Sequence, residues 1–140
     1  MPASRTDSRW IRAILFGLLA EFVTIICVIL VVTTHSVATG GPLADTTSPF
    51  AIRWAAIVGT LGGVVFVFLF AKKLGGLLSS KFVAHGIAVA GGAVLFHLFT
   101  TVGAGQAYDV VHMGADALKL VAGALGGWLA SRDLVAPAQA

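Results

Sequence analysis

The chain has 140 residues, of which 58% are hydrophobic and 11% charged, with a formal net charge of +3 and a mean hydropathy of +0.97. A soluble domain carries about a quarter charged residues, so this composition excludes an ordinary water-soluble fold and places the chain in a bilayer. The basic residues flank apolar runs and form no patch interleaved with aromatics, which argues against nucleic acid as a partner.

Four apolar runs are long enough to cross a hydrocarbon core, which takes roughly 20 helical residues. They cover about 11–32, 51–70, 82–102 and 110–130. Backbone polar groups must be satisfied within the segment in lipid, so all four are expected as helices. The expected fold is an all-α, integral membrane four-helix bundle, a single transmembrane domain spanning 1–140. In the first span Cys27 sits among apolar residues and reads as packing; one cysteine permits no intrachain disulfide. Ser36, Val37 and Ala38 could pass for a signal cleavage site, but the preceding apolar stretch is too long for one and is expected as a retained span. The stretch between the first two spans, rich in Gly, Pro, Ser and Thr, is a loop, and "KKLGGLLSSK" is a short basic loop. "GAGQAYD" is a tight turn that makes the last two helices antiparallel neighbours.

Arg5, Arg9, Arg12, Lys72, Lys73, Lys81 and Arg132 fall on one side of this arrangement and Arg53 on the other. The positive-inside rule then gives N-in, C-in. Trp10 and Trp128 mark the inner boundary, Trp54 and Tyr108 the outer. Close packing is expected at small residues four apart: Ala55, Gly59 and Gly63 in the second span, Ala84, Ala88 and Gly92 in the third, and Gly123 and Gly127 in the fourth.

"YDVVHMGADALKL" (Tyr108 to Leu120) puts four ionisable groups into the fourth span. At about 100° per residue, Asp109, His112, Asp116 and Lys119 share one face, roughly 80° wide, that must meet protein or water. A charge at the bilayer centre costs about 2.5–3.5 kcal/mol on insertion scales. Glu21 lies at a depth comparable to Lys119, so the two are expected to pair, and Gly17, Thr24 and His35 on the Glu21 face are expected to lead outward. His97 and His112 are expected at similar depth, forming an outer cluster with Asp109 and Asp116; His85 stands apart.

Three functions fit these residues. The first is a packing or accessory subunit of a larger membrane complex, its polar groups fixing helix register, with other membrane subunits or self-association as partners besides lipid. The second is a proton-coupled small-solute transporter or ion pathway using Glu21, His97, Asp109, His112, Asp116 and Lys119 as a relay. The third is haem or divalent-metal binding at His97 and His112, with Phe96, Phe99 and Val111 as walls; otherwise no cofactor is expected. No phosphate-binding loop or hydrolytic triad is present, and no enzyme is expected.

"GLLAEF" (Gly17 to Phe22) resembles the first-helix carboxylate segment of small multidrug resistance transporters, which are also four-span chains. The resemblance implies that Glu21 is shared between protons and cationic substrates in an antiparallel dimer. The long outer loop, the polar fourth span and the strong charge bias depart from that pattern. Over its whole length the chain looks like small four-span proteins of the bacterial cytoplasmic membrane.

Overall fold

The computed structural model describes residues 5–43 and 45–135, and side chains within 9–43 and 45–133. The Arg5 side chain, one of the charges used above to orient the chain, lies outside these. Four helices follow in order: α1 (Arg5–Ala38), α2 (Pro49–Gly75), α3 (Phe82–Gly103) and α4 (Val110–Val135). There is no strand among the described residues.

Each helix runs past, or just to, the end of its apolar stretch, because helical geometry continues through polar ends until a cap or turn stops it. Ser48 caps α2, its Oγ accepting from the Ala51 N–H at 3.2 Å, and Pro49 takes the first turn, where a missing N–H costs nothing. Gly40 and Gly105, both at φ +71°, reverse the chain after α1 and α3. Lys81 turns it at φ 56° ahead of α3.

Three helices, α1 over Arg9–Ala38, α2 and α3, are long and apolar enough to cross a membrane. Asp116 and Lys119 interrupt the apolar character of α4, which is nevertheless 26 residues long.

The packing defines an up-down-up-down bundle. Thr24 meets Gly62 and Phe16 meets Phe70, so α1 and α2 are antiparallel. Gly86 meets Gly123 and Phe82 meets Gly127, so α3 and α4 are antiparallel too. The pairs α1–α3 and α2–α4 run parallel: Trp10 stacks on His85 and Gly17 abuts Ala93, while Lys119 passes Gly63 and Ala130 abuts Gly75. α2 and α3 touch across the short diagonal; among the described residues no backbone contact joins α1 to α4 across the long one. One end of the bundle carries Arg9, Arg12, Lys72, Lys73, Lys81 and Arg132. We call it the basic end. There Lys72 pairs with Asp133 at 3.1 Å, and Arg9 donates to Ser79 at 3.3 Å.

The bundle is apolar outside and small-residue inside. Phe22, Leu30, Leu69, Leu95 and Val121 are exposed, while the interior is built from Ala13, Ala20, Val67, Ala71, Val89, Ala90, Ala93 and Ala122. That is the inverse of a soluble helix bundle, and it fits a lipid surround, where close backbone packing replaces hydrophobic exclusion of water.

Glycine makes the closest approaches. A Cβ on Gly86 would overlap the Gly123 carbonyl oxygen and one on Gly123 the Gly86 carbonyl oxygen; Gly127 lies likewise against Phe82. Gly17 and Gly92 are the corresponding points between α1 and α3. Of the expected packing residues, Gly63, Gly92, Gly123 and Gly127 are therefore buried contacts. Three others are corrected. Ala84 is exposed, because α3 turns Gly86, Ala90 and Ala93 inward instead, and Gly59 of α2 has open space at its Cβ position. Ala55 lies with Gly59 along a cavity. Ala88 is half-buried at the edge of the core.

Candidate functional site

Midway along the bundle, Lys119 of α4 reaches across the long diagonal to Glu21 of α1, Nζ to Oε1 at 2.7 Å. Lys119 is among the largest fully buried side chains in the protein. It has room because α2 presents glycine there: a Cβ on Gly63 would stand 2.8 Å from Lys119 Cε and 3.2 Å from Glu21 Oε1. The approach to Glu21 is that of an ion pair rather than an aligned hydrogen bond, and Oε1 has no other donor among the described residues.

One turn earlier on α4, Asp116 brings Oδ1 within 3.0 Å of the same ammonium. Asp116 Oδ1 also accepts from His97 Nδ1 of α3 at 2.8 Å, and its Oδ2 accepts from the Tyr108 hydroxyl at 2.5 Å. That contact pushes the Tyr108 phenol up to about 12. Tyr108, His97, Asp116, Lys119 and Glu21 thus form one unbroken array running from the α3–α4 loop to the bundle centre.

Beside it stands a second pair. Asp109 caps α4, its Oδ1 accepting from the backbone N–H groups of Val111 and His112 at 3.0 and 3.1 Å and from His112 Nδ1 at 2.7 Å. The His112 backbone N–H, then its imidazole, hold the Asp109 carboxyl below the usual carboxylate range. The folded value lies below the unfolded one, so Asp109 contributes stability above the unfolded value of about 4 and loses it as pH falls through the folded one. Asp109→Ala should lower the melting temperature at pH 7 and make little difference at pH 2.5, measured by circular dichroism in detergent.

The rings of His97 and His112 lie 5.5 Å apart, and Tyr108 is 6.3 Å from the first and 5.8 Å from the second. Both histidines line a cavity of about 580 Å³ between the helices at the end away from the basic loop. Its walls are Val28, Ile29, Val32, Ile52, Ala55, Gly59, Val111 and Ala115, with Thr33 and Thr60 among them. Thr46 and Gln106, from the two loops at that end, are also part of its lining.

The expected Glu21–Lys119 pair and the approach of His97 to His112 are both present. The expected four-residue outer cluster divides in two: Asp116 turns inward to Lys119, while Asp109 stays at the surface with His112. The face through Gly17, Thr24 and His35 is no outward path. Gly17 is buried against α3, Thr24 donates to the Ala20 carbonyl at 2.9 Å, and the His35 ring stacks on Phe50 at 3.4 Å. Nor does Glu21 face water; it is 5% exposed. Of the three residues considered as walls for a haem, Val111 lines the cavity, whereas Phe96 and Phe99 do not. No group of three or more His, Cys, Asp or Glu side chains is arranged to hold a metal among the described residues. His85 is a separate feature, stacked on Trp10 at 4.2 Å with Nδ1 donating to the Lys81 carbonyl.

Tyr108 and Gly63 carry weight that sequence reasoning did not assign. Tyr108 enters the array from a non-helical turn, where no periodicity flags it. Gly63 was legible as a small residue, but not as the gap through which a lysine passes.

Comparison with family models, curated proteins and solved structures finds no match. The site therefore rests on its own geometry.

Proposed function

We propose that this is an integral membrane protein that takes up a small solute in exchange for a proton, through the cavity away from its basic end. The observation that carries this reading is the unbroken array from the cavity wall at His97 to Glu21 at the bundle centre. With both carboxylates ionised and Lys119 protonated, the array bears one net negative charge, and a proton on His97 neutralises it. In a low-dielectric interior that difference of one charge is large, and His97 at the cavity wall is where the array meets an occupant. The reading includes no catalytic step. The setting we infer is a bacterial cytoplasmic membrane with the basic end inside, following the positive-inside rule.

Proteoliposomes holding a pH-sensitive dye, with a panel of small charged and uncharged solutes supplied outside, test it. Wild-type protein should relax an imposed pH gradient faster than empty vesicles, and Glu21→Gln and His97→Gln should fall to the empty-vesicle rate with their helical content unchanged. Wild-type relaxation no faster than that of empty vesicles would sink the proposal.

A second reading, an accessory subunit, draws on the surface of α3. Ala84 is exposed, Ala88 half-buried, and Gly91 has open space at its Cβ position, leaving a small-residue face without a partner among the described residues. Native mass spectrometry from mild detergent should then show a stoichiometric second polypeptide, or a second copy; a lone chain would count against it.

A further inference from the structure

The cavity's chemistry selects among solutes. Each of its two imidazoles has a carboxylate at Nδ1: Asp116 for His97 and Asp109 for His112. A carboxylate accepts there, so the neutral ring carries its proton on Nδ1 and leaves Nε2 as a bare lone pair. Among the described residues no hydrogen bond engages Nε2 of either ring, and both rings line the same cavity. The cavity therefore offers two acceptors 5.5 Å apart by ring centroid, set in a wall of Val28, Ile29, Val32 and Ile52. Among the described residues no Asp, Glu, Lys or Arg lines it to balance a charged ligand.

We infer that the cavity binds an uncharged amphipathic molecule with a hydroxyl donor, of the phenol or alcohol class, its one O–H donating to Nε2 of His97 and its apolar body lying along α1 and α2. The inference rests on the proposed uptake of a solute and names its chemistry. It also supplies the proton link. A proton arriving on Nε2 of His97 converts the acceptor into a donor, so hydroxyl and proton compete for one atom, and the displaced proton passes to water. The ionisable groups around His97 are Asp116, Lys119 and His112 on α4 and Tyr108 on the loop, with Glu21 on α1 beyond Lys119. α2 offers the cavity only Ala51, Ile52, Ala55, Ala56, Gly59 and Thr60, none of them ionisable.

The test uses 1-naphthol and 1-methoxynaphthalene, which share a ring system but differ in the donor. Both are titrated into purified full-length protein in detergent by fluorescence, with protein-free micelles subtracted. Naphthol should bind at one equivalent, with the methyl ether weaker by about tenfold or more, the scale of one lost hydrogen bond to a buried acceptor. His97→Gln should remove about tenfold of naphthol affinity and leave the ether unchanged, whereas His112→Ala, a change near the surface, should alter neither. Equal binding of naphthol and ether, or naphthol binding untouched by His97→Gln, would overturn the inference, as would tighter binding of a naphthyl-ammonium probe. Calorimetry in two buffers of different ionisation enthalpy separates the two proposals. Naphthol binding without proton release keeps the hydroxyl site and removes the proton exchange; proton flux in vesicles without naphthol binding does the reverse.

Discussion

Lys119→Met should leave almost no correctly folded protein, as judged by a monodisperse peak in detergent size-exclusion chromatography. The substitution keeps the side chain's stem as far as Cε and removes its charge, so Glu21 and Asp116 lose the ammonium that they meet at 2.7 and 3.0 Å. Removing one partner of a buried pair costs about 3–5 kcal/mol, a large part of what holds a small domain together. The loss arises from the uncompensated carboxylates, and a second substitution shows this. Adding Glu21→Gln to Lys119→Met should restore most of the folded peak, because Asp116 keeps His97 and Tyr108 as partners. Failure of the double variant to recover would show that Lys119 acts mainly through the packing of its stem past Gly63.

Gly123→Leu should be comparably damaging, for a different reason. Gly123 and Gly86 lie so close that each would drive a side chain into the other's carbonyl oxygen, and Gly123 also lies 2.8 Å, at the Cβ position, from the Ala90 methyl. Neither obstacle is a flexible side-chain end, so α3 and α4 must part. Overpacking of this kind costs about 3 kcal/mol, and the parted helices forfeit their close backbone packing as well. Gly91→Ala is the matched control: its Cβ position is open, and replacing glycine in a helix with alanine should be neutral or slightly stabilising. The comparison is a thermal ramp read by the fraction remaining monodisperse. A Gly123→Leu variant that melts with Gly91→Ala would contradict the close α3–α4 packing.

The residues explain which of these features could be read from the sequence. Helix number and order followed from apolar length, a property of each segment alone. Lys119 meeting Glu21 was legible because antiparallel helices equate depth from opposite ends, and a lone charge at that depth needs its opposite. Which small residues pack was harder. Ala84, Ala88 and Gly92 have the same spacing as Gly86 and Ala90, and spacing does not say which face turns inward; only the angle at which α4 approaches decides it. Asp116 and Asp109 share a stripe on α4, yet one reaches the centre and the other caps the helix. The separation depends on Asp109 falling just before the first turn, where free backbone N–H groups claim it. Tyr108 belongs to a loop whose path was set by Gly105 and by no repeat.

The long diagonal has a consequence for how the chain is made. Among the described residues α1 and α4 touch through no backbone contact, and Glu21 and Lys119 span the gap between them. Translation delivers α1 to the bilayer first and α4 last, so Glu21 enters the membrane well before its counter-charge exists. During that interval the carboxyl group must keep its proton or stay near the lipid headgroups. Arrival of α4 then closes the bundle and brings Lys119 to Glu21 in one event. A chain truncated before Lys119 would accordingly leave Glu21 at the bundle centre without its counter-charge.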